Sequence, residues 1–126
     1  MNVLLIGGGG RESAIAWKIS KSKLLSTLYT SPGNAGTSEF GINVPSLSIK
    51  EAINFANNNN IDLTIVGPEE PLTEGIVDEF RSRNLTIFGP TKSASTIEGS
   101  KIWAKNLFEK YSIPCAKSDQ FSDLKS

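Results

Sequence analysis

Apolar and polar residues are arranged in blocks along the chain rather than alternating residue by residue. Short apolar runs that end in glycine or proline are separated by longer stretches whose apolar residues recur at helical spacing. The first pattern is typical of strands buried on both faces, and the second of amphipathic helices. Because helices alternate with buried strands, we predict an α/β, Rossmann-like fold with a mostly parallel sheet and flanking helices.

The predicted strands place their C-terminal ends at one edge of the sheet. They cover residues 3–6, 28–30, 43–44, 62–66 and 85–88. Gly- and Pro-containing segments follow four of them, at residues 7–10, 32–36, 67–70 and 89–90. Since ligands of open parallel sheets bind beyond the carboxyl ends of the strands, these segments predict a binding site at that edge.

Helical periodicity places the first helix directly after the glycines. Ala14, Trp17 and Leu24 are expected on its inner face. A later helix is predicted over residues 72–83, with three apolar residues facing inward: Ile76, Val77 and Phe80.

Two further helices are indicated by their caps. Ser48 precedes an apolar periodic stretch and Glu51 follows three residues later, which is the capping-box spacing. Ser100 can cap a helix that runs through Trp103 and ends before Pro114.

Composition excludes several classes of function. Lys plus Arg and Asp plus Glu both number 13 in the 126 residues, and this neutral balance argues against nucleic acid as the main partner. Cys115 is the only cysteine and there is no histidine, so an internal disulfide, zinc chemistry and His-based triads are excluded within this chain. No apolar stretch approaches the ~20 residues of a membrane span. We therefore expect a cytoplasmic protein without a membrane partner.

The glycine-rich stretch VLLIGGGGRESA, residues 3–14, matches no common nucleotide fingerprint. The third glycine of the dinucleotide motif is missing, no acidic residue stands after the second strand, and no Lys-Ser/Thr pair follows as in a P-loop. Phosphate binding is still expected of this stretch, because glycine backbone at a helix N-terminus can hold a phosphate through its N–H groups. Arg11 is expected either to assist or to be solvated, and Glu12 either to accept from a ligand hydroxyl or to favour the helix N-terminus.

Several segments, kept in order, resemble those of the phosphoribosylamine–glycine ligase family over essentially the whole chain. They are VLLIGGGGRESAIAW, SPGNAGT, DLTIVGPEEPLTEGIVDEF and IFGPTKSASTIEGSK. One residue departs from the family pattern, because Ser13 stands where the family's first loop usually has histidine. A serine can form a hydrogen bond there but does not carry a proton near neutral pH.

The resemblance implies an ATP-grasp ligase of purine biosynthesis with a Rossmann-like, pre-ATP-grasp N-terminal domain. In that family ATP phosphorylates the carboxylate of glycine, and the amine of 5-phosphoribosylamine attacks the acyl phosphate. Mg²⁺ bridges the ATP phosphates. ATP and Mg²⁺ are thus the cofactors expected of the full-length enzyme, and glycine, ATP and 5-phosphoribosylamine its small-molecule partners.

The resemblance also assigns site residues. Substrate contacts are expected from a first loop, a second loop and one carboxylate: Gly8, Gly9, Gly10, Arg11 and Glu12; Gly33, Asn34, Ala35 and Gly36; and Glu69. Glu69 is expected to orient ribose hydroxyls or the attacking amine, whereas Glu70 is expected to be solvated. Asn34 has an alternative role in an Asx turn. Lys101 is expected to face ATP phosphates.

The predicted organisation is a substrate-binding domain over residues 1–91, followed by a linker helix and the start of an ATP-grasp domain over 92–126. A strand is expected to begin over residues 117–121. The resemblance implies that most ATP and metal contacts come from a later ATP-grasp domain, which is expected to be missing here together with the C-terminal domain, so the chain alone is expected to be inactive. Two alternatives stay open: a stand-alone phosphosugar- or nucleotide-binding module, and a small dehydrogenase domain that the incomplete fingerprint disfavours.

Overall fold

Strands and helices follow one another along the chain in the computed structural model, which describes residues 1–119. The elements are β1 (Asn2–Gly7), α1 (Gly10–Ser20), β2 (Thr27–Pro32), α2 (Ala35–Ser38), β3 (Ile42–Asn43), α3 (Ile49–Asn58), β4 (Leu63–Val66), α4 (Glu69–Glu74), α5 (Ile76–Arg81), β5 (Ile87–Phe88), α6 (Lys92–Gly99) and α7 (Lys101–Lys110).

All the strands are parallel and lie in the order β3-β2-β1-β4-β5. The predicted α/β fold is confirmed, although β3 begins one residue earlier than expected and β5 is shorter. Strand β1 is central, and Leu4 is paired with Tyr29 of β2 on one side and with Thr64 of β4 on the other. Because the order of strands reverses at β1, the crevice beyond β1 and β4 is the topological switch point where ligands of such sheets bind.

Successive side chains of β1 pack into the two hydrophobic cores on opposite faces of the sheet. Leu4 and Ile6 face a core that they share with α3, α4 and α5. Val3 and Leu5 face the opposite side, where α1 packs. Leu4 and Leu5 are fully buried, and burial of a leucine contributes about 1.5–3 kcal/mol. The sheet is therefore covered on both faces near its centre, which holds the loops at its C-terminal edge in place.

The predicted inner face of the first helix is wrong. Ala14 is exposed, Trp17 is 50% exposed and Leu24 is 71% exposed. The helix begins at Gly10, and its buried residues are Glu12 and Ala16, one turn apart. The indole of Trp17 is instead covered by the ammonium group of Lys21, 5.8 Å from the ring centroid. The core contact of this helix is thus made by the small residue Ala16, whereas the large aromatic Trp17 is half exposed.

The predicted helix over residues 72–83 is divided. Gly75 adopts φ +104°, and this left-handed conformation ends α4 and begins α5. The inward residues of this region are confirmed, since Ile76, Val77 and Phe80 are all buried. Helix α6, which the apolar pattern does not indicate, follows β5 and packs against α4.

The cap predictions are confirmed. The Ser48 hydroxyl accepts from the backbone N–H of Glu51, while Oε2 of Glu51 accepts from the N–H of Ser48 at 2.8 Å. The Ser100 hydroxyl accepts from the N–H of Trp103 and caps α7. Both helices begin where a local side-chain acceptor is available for the first turn.

The C-terminal segment departs from expectation. Residues 117–119 form no regular secondary structure, and residues 120 and 121 of the predicted strand lie outside the described residues. Among residues 1–119, no helix is long and apolar enough to cross a membrane.

Candidate functional site

A pocket of about 370 Å³ opens at the C-terminal edge of the sheet between β1 and β4. We call it the glycine crevice, and it is lined by Gly8, Gly9, Gly10, Arg11, Glu12, Pro68 and Glu69. It lies at the topological switch point of the sheet. The structure thus brings the predicted first loop and the predicted carboxylate of Glu69 together in one place.

The N-terminus of α1 opens into this crevice. Its N-cap is Gly9, which has extended backbone (φ −95°) and no side chain to occupy the first-turn N–H groups. The N–H groups of Gly10, Arg11 and Glu12 stand in that turn, where no acceptor exists within the helix. Together with the partial positive charge of the helix end, they are suited to an anion.

The carboxylate of Glu12 is part of the loop itself. Glu12 is only 4% exposed, and its Oε2 accepts from the N–H of Gly9 at 2.5 Å. A Cβ on Gly67 would lie 2.0 Å from Oε1, and a Cβ on Gly7 would lie 2.7 Å from Cδ. Both positions therefore need glycine to leave room for the carboxylate, and of the two expected roles the structure supports the one at the helix N-terminus.

Arg11 bridges the two loops that flank the crevice. Its Nη1 donates to the carbonyl oxygen of Gly67, which follows β4. A guanidinium has five N–H donors, so one such bond leaves others for a ligand. Arg11 is exposed, and its positive charge stands beside the free first turn of α1.

Glu69 occupies the rim of the crevice on the β4 side. It is the first residue of α4, directly after the N-cap Pro68. The residue is exposed, and its carboxylate takes part in no hydrogen bond or ion pair within residues 1–119. Glu70 is also exposed, as expected, but does not line the crevice.

The second predicted loop, from Gly33 to Gly36, forms the cap of α2. Oδ1 of Asn34 accepts from the N–H of Gly36 at 2.7 Å and from that of Thr37 at 3.0 Å. The expected Asx-type role of Asn34 is therefore confirmed. Ala35 is exposed, and none of the loop lines the glycine crevice.

Asn34 also holds the first loop. Its Nδ2 donates to the carbonyls of Gly8 and Gly9, at 3.0 and 2.9 Å, and its Oδ1 accepts from the hydroxyl of Ser13 at 2.8 Å. Ser13, at the position that departs from the family pattern, thus ties α1 to the second loop.

Two residues of this network were not anticipated. Oγ1 of Thr37 accepts from the N–H of Asn34 at 2.8 Å. Nδ2 of Asn43 donates to the backbone carbonyl of Asn34, also at 2.8 Å. The three-residue spacing of Asn34 and Thr37 is a capping-box spacing that could have identified the first contact. Asn43 has no comparable local signal, because it reaches Asn34 only through the pairing of β2 with β3.

Lys101 lies apart from these loops in the sequence and does not line the crevice. It is the exposed first residue of α7. Among residues 1–119, no group of three or more His, Cys, Asp or Glu side chains is arranged to hold a metal ion.

Comparison with known proteins identifies relatives along the whole chain. The family model described as phosphoribosylglycinamide synthetase, N domain, matches residues 1–98. The phosphoribosylamine–glycine ligase of Caldanaerobacter subterraneus subsp. tengcongensis is 50% identical over 123 residues, which are 96% of this chain and 30% of that protein. The ligase of Escherichia coli K12 is 45% identical over 128 residues, with coverage of 98% and 30%.

A solved structure shares both fold and sequence. The crystal structure of phosphoribosylamine–glycine ligase from Thermotoga maritima superposes with a TM-score of 0.64 at 31% identity, over 93% of this chain and 26% of that one. This chain spans about 30% of the length of the curated relatives that it matches.

Proposed function

The chain belongs to the phosphoribosylglycinamide synthetase N-domain family, and from this premise we propose that it holds the phosphoribosyl substrate of a phosphoribosylamine–glycine ligase. In the proposed reaction ATP phosphorylates the carboxylate of glycine. The amine of 5-phosphoribosylamine then attacks the acyl phosphate, giving glycinamide ribonucleotide, ADP and phosphate. One observation carries the proposal: the uncapped first turn of α1 and the side chain of Arg11 meet in a crevice at the switch point of the sheet.

The 5-phosphate is proposed to bind at the first turn of α1, with Arg11 as its side-chain partner. Backbone N–H groups at a helix N-terminus and a guanidinium both favour phosphate, because both donate to oxygen, the first with partial and the second with full positive charge. Glu69 lies on the opposite rim, where an unengaged carboxylate can accept from ribose hydroxyls or from the amine. In this arrangement the phosphate and the reacting amine occupy different ends of one crevice.

The sites for ATP, glycine and Mg²⁺ are proposed to lie in the part of the relatives that this chain does not span. No side-chain cluster within residues 1–119 fits a metal ion, so we assign none of the metal's chemistry to these residues. Lys101 is proposed to contact ATP phosphates once such a part is present, since it is an exposed cation at the start of α7. The proposal also includes a boundary near residue 91 between the substrate-binding domain and the following linker helix. It includes a cytoplasmic location as well.

The proposed substrate is tested by following backbone amide resonances while glycinamide ribonucleotide, the stable product, is added. Perturbations are expected at Gly8, Gly10, Arg11 and Glu69, and NADH serves as the control ligand. Arg11→Gln should weaken binding about tenfold, as the loss of one charged hydrogen bond does. Arg81→Gln, at an exposed residue of α5, should leave binding unchanged. Perturbation by NADH alone would contradict the ligase assignment.

The stand-alone binding module remains a second candidate, because the proposed phosphate donors all lie within this chain. The two candidates differ in catalysis. We propose that the chain alone forms no ADP from ATP when glycine and 5-phosphoribosylamine are present. ADP formation that depends on the purified chain would overturn this, and equal affinity for ribose 5-phosphate and glycinamide ribonucleotide would favour the module.

A further inference from the structure

Three consecutive carbonyl groups of the first loop face the same way. The carbonyl of Gly7 accepts from the N–H of Gly33 at 3.1 Å. Those of Gly8 and Gly9 accept from Nδ2 of Asn34, at 3.0 and 2.9 Å. These donors belong to the loop after β2, so the acceptor side of the glycine backbone is turned toward β2. The carbonyl of Gly9 also accepts from the N–H of Ser13 in α1, at 3.2 Å.

The orientation of the carbonyls determines that of the N–H groups. In a trans peptide, the N–H of each residue points opposite to the carbonyl of the residue before it. Among the described residues only the Ser31–Pro32 bond is cis, so the glycine peptides are trans. The N–H groups of Gly8, Gly9 and Gly10 must therefore point away from β2, toward β4 and the glycine crevice.

Glu12 provides an independent check of this direction. Its Oε2 accepts from the N–H of Gly9. Its Oε1 lies next to Gly67, which follows β4, since a Cβ on Gly67 would stand 2.0 Å from this oxygen. The Gly9 N–H thus does point to the β4 side. Since Glu12 already occupies it, the N–H groups left for a ligand in the loop are those of Gly8 and Gly10.

We propose that Asn34 is a positioning residue that acts through the glycine backbone and does not contact the ligand. Its side-chain amide holds the carbonyl of Gly8 on the β2 side and, together with the N–H of Ser13, that of Gly9. This orientation turns the N–H of Gly10 into the crevice that receives the phosphate. The proposal rests on the proposed function for the identity of the ligand. It differs from the resemblance-based prediction, in which Asn34 belongs to the substrate contacts.

The unmodified chain supplies the first test. Ribose 5-phosphate is added while the backbone amides and the side-chain NH₂ signals of Asn34 are followed by NMR. The signals of Gly8 and Gly10 are expected to shift, whereas the Asn34 NH₂ signals stay nearly constant because both carbonyl partners are kept. A shift of the Asn34 NH₂ signals larger than that of Gly10 would show direct contact and overturn the proposal.

A substitution supplies the second test. Asn34→Ser removes the Nδ2 donor but keeps an N-cap oxygen for α2 and introduces no charge. Asn2→Ser is the matched control, because Nδ2 of Asn2 likewise donates to two carbonyls, those of Asn59 and Asn60, on a different part of the chain. Asn34→Ser should weaken ribose 5-phosphate binding about tenfold, while both variants lose similar thermal stability. Unchanged affinity in Asn34→Ser overturns the proposal.

The ligand-free spectra separate this inference from the proposed function. Carbonyl ¹³C shifts of Gly8 and Gly9, and the ¹⁵N shift of Gly10, should change in Asn34→Ser and stay constant in Asn2→Ser. If the unmodified chain binds no ribose 5-phosphate or glycinamide ribonucleotide, the proposed function fails, whereas unchanged carbonyl shifts in Asn34→Ser overturn the positioning role whether or not a ligand binds.

Discussion

Helices α1 and α3 share a glutamate that accepts from the cap residue, but they differ in whether the cap residue supplies a side-chain acceptor to the first turn. In both, the glutamate at the third helical position accepts from the N–H of the cap residue, Glu12 from Gly9 and Glu51 from Ser48. In α3 the cap is a serine, and its hydroxyl takes the N–H of Glu51 in return. In α1 the cap is a glycine, which has no side chain to return the bond.

The missing hydroxyl is what makes α1 suited to a ligand. A helix N-terminus closed by its own cap has fewer donors to offer, whereas one capped by glycine keeps them available. The burial of the two glutamates also differs, since Glu12 is 4% exposed whereas Glu51 is an exposed residue. The start of α1 is thus held by a buried carboxylate among glycines, and its first-turn N–H groups receive no hydrogen bond from a cap side chain.

The largest effect is expected where the space for Glu12 is removed. In Gly67→Ala the new Cβ would stand 2.0 Å from Oε1 of Glu12, so the carboxylate must move. We expect a loss of about 3 kcal/mol in the free energy of unfolding, at the upper end for overpacking. Gly10→Ala is the control, because a Cβ there meets nothing within 4 Å, and alanine should be neutral or stabilise the helix. Equal losses in denaturant titrations would show that the crevice is not tightly packed around Glu12.

Removal of the two glutamates compares the caps directly. Glu12→Ala leaves the N–H of Gly9 without its acceptor in a partly buried site, and we expect a loss of about 2 kcal/mol. Glu51→Ala should cost much less, because water replaces the exposed carboxylate. Chemical denaturation of both variants measures the difference. A larger loss for Glu51→Ala would break the comparison.

The caps can also be exchanged. Gly9→Ser should place a hydroxyl near the first-turn N–H groups, as in α3, although its Cβ would lie 3.0 Å from Oε2 of Glu12 and needs a small adjustment there. Unfolding free energy should change by only a few tenths of a kcal/mol, whereas ribose 5-phosphate affinity should fall about tenfold. Ser48→Gly should have an equally small effect on stability and none on binding. Undiminished affinity in Gly9→Ser would show that the first turn of α1 is not the phosphate site.

Local signals explain which parts of the fold were predictable. The apolar runs of β1 and β4 and the Ser48 cap were recognised because their evidence lies within a few residues. The inner face of α1 was not, because a charged residue, Glu12, is buried while Trp17 is exposed. Helix α6 has the sequence KSASTIEG without an apolar stripe, and it is held by packing against α4.

The candidate site likewise has one feature that the sequence predicts and one that it does not. That Gly8 to Glu12 and Glu69 share a crevice follows from a parallel sheet, whose strands end at one edge. The direction of the glycine peptides does not follow from the pattern, because besides the helical bond from Ser13 it depends on Asn34, which is 25 and 26 residues away from the two carbonyls it binds. Such long-range side-chain contacts leave no periodic signal in the sequence.

The smallest effect is the pH dependence of the exposed cap. Hydrogen bonds from the hydroxyl and then the backbone N–H of Ser48 lower the pKa of Glu51 below its ordinary value of 4.5. A carboxylate whose pKa is lower in the folded state stabilises the fold fully above its unfolded pKa, and this contribution is lost as the pH falls through the folded pKa. The unfolding free energies of the unmodified chain and Glu51→Gln should therefore differ by a small, constant amount near neutral pH. Their difference should change as the pH falls through 4.5 and below, and a change confined to neutral or higher pH would show that another group is responsible.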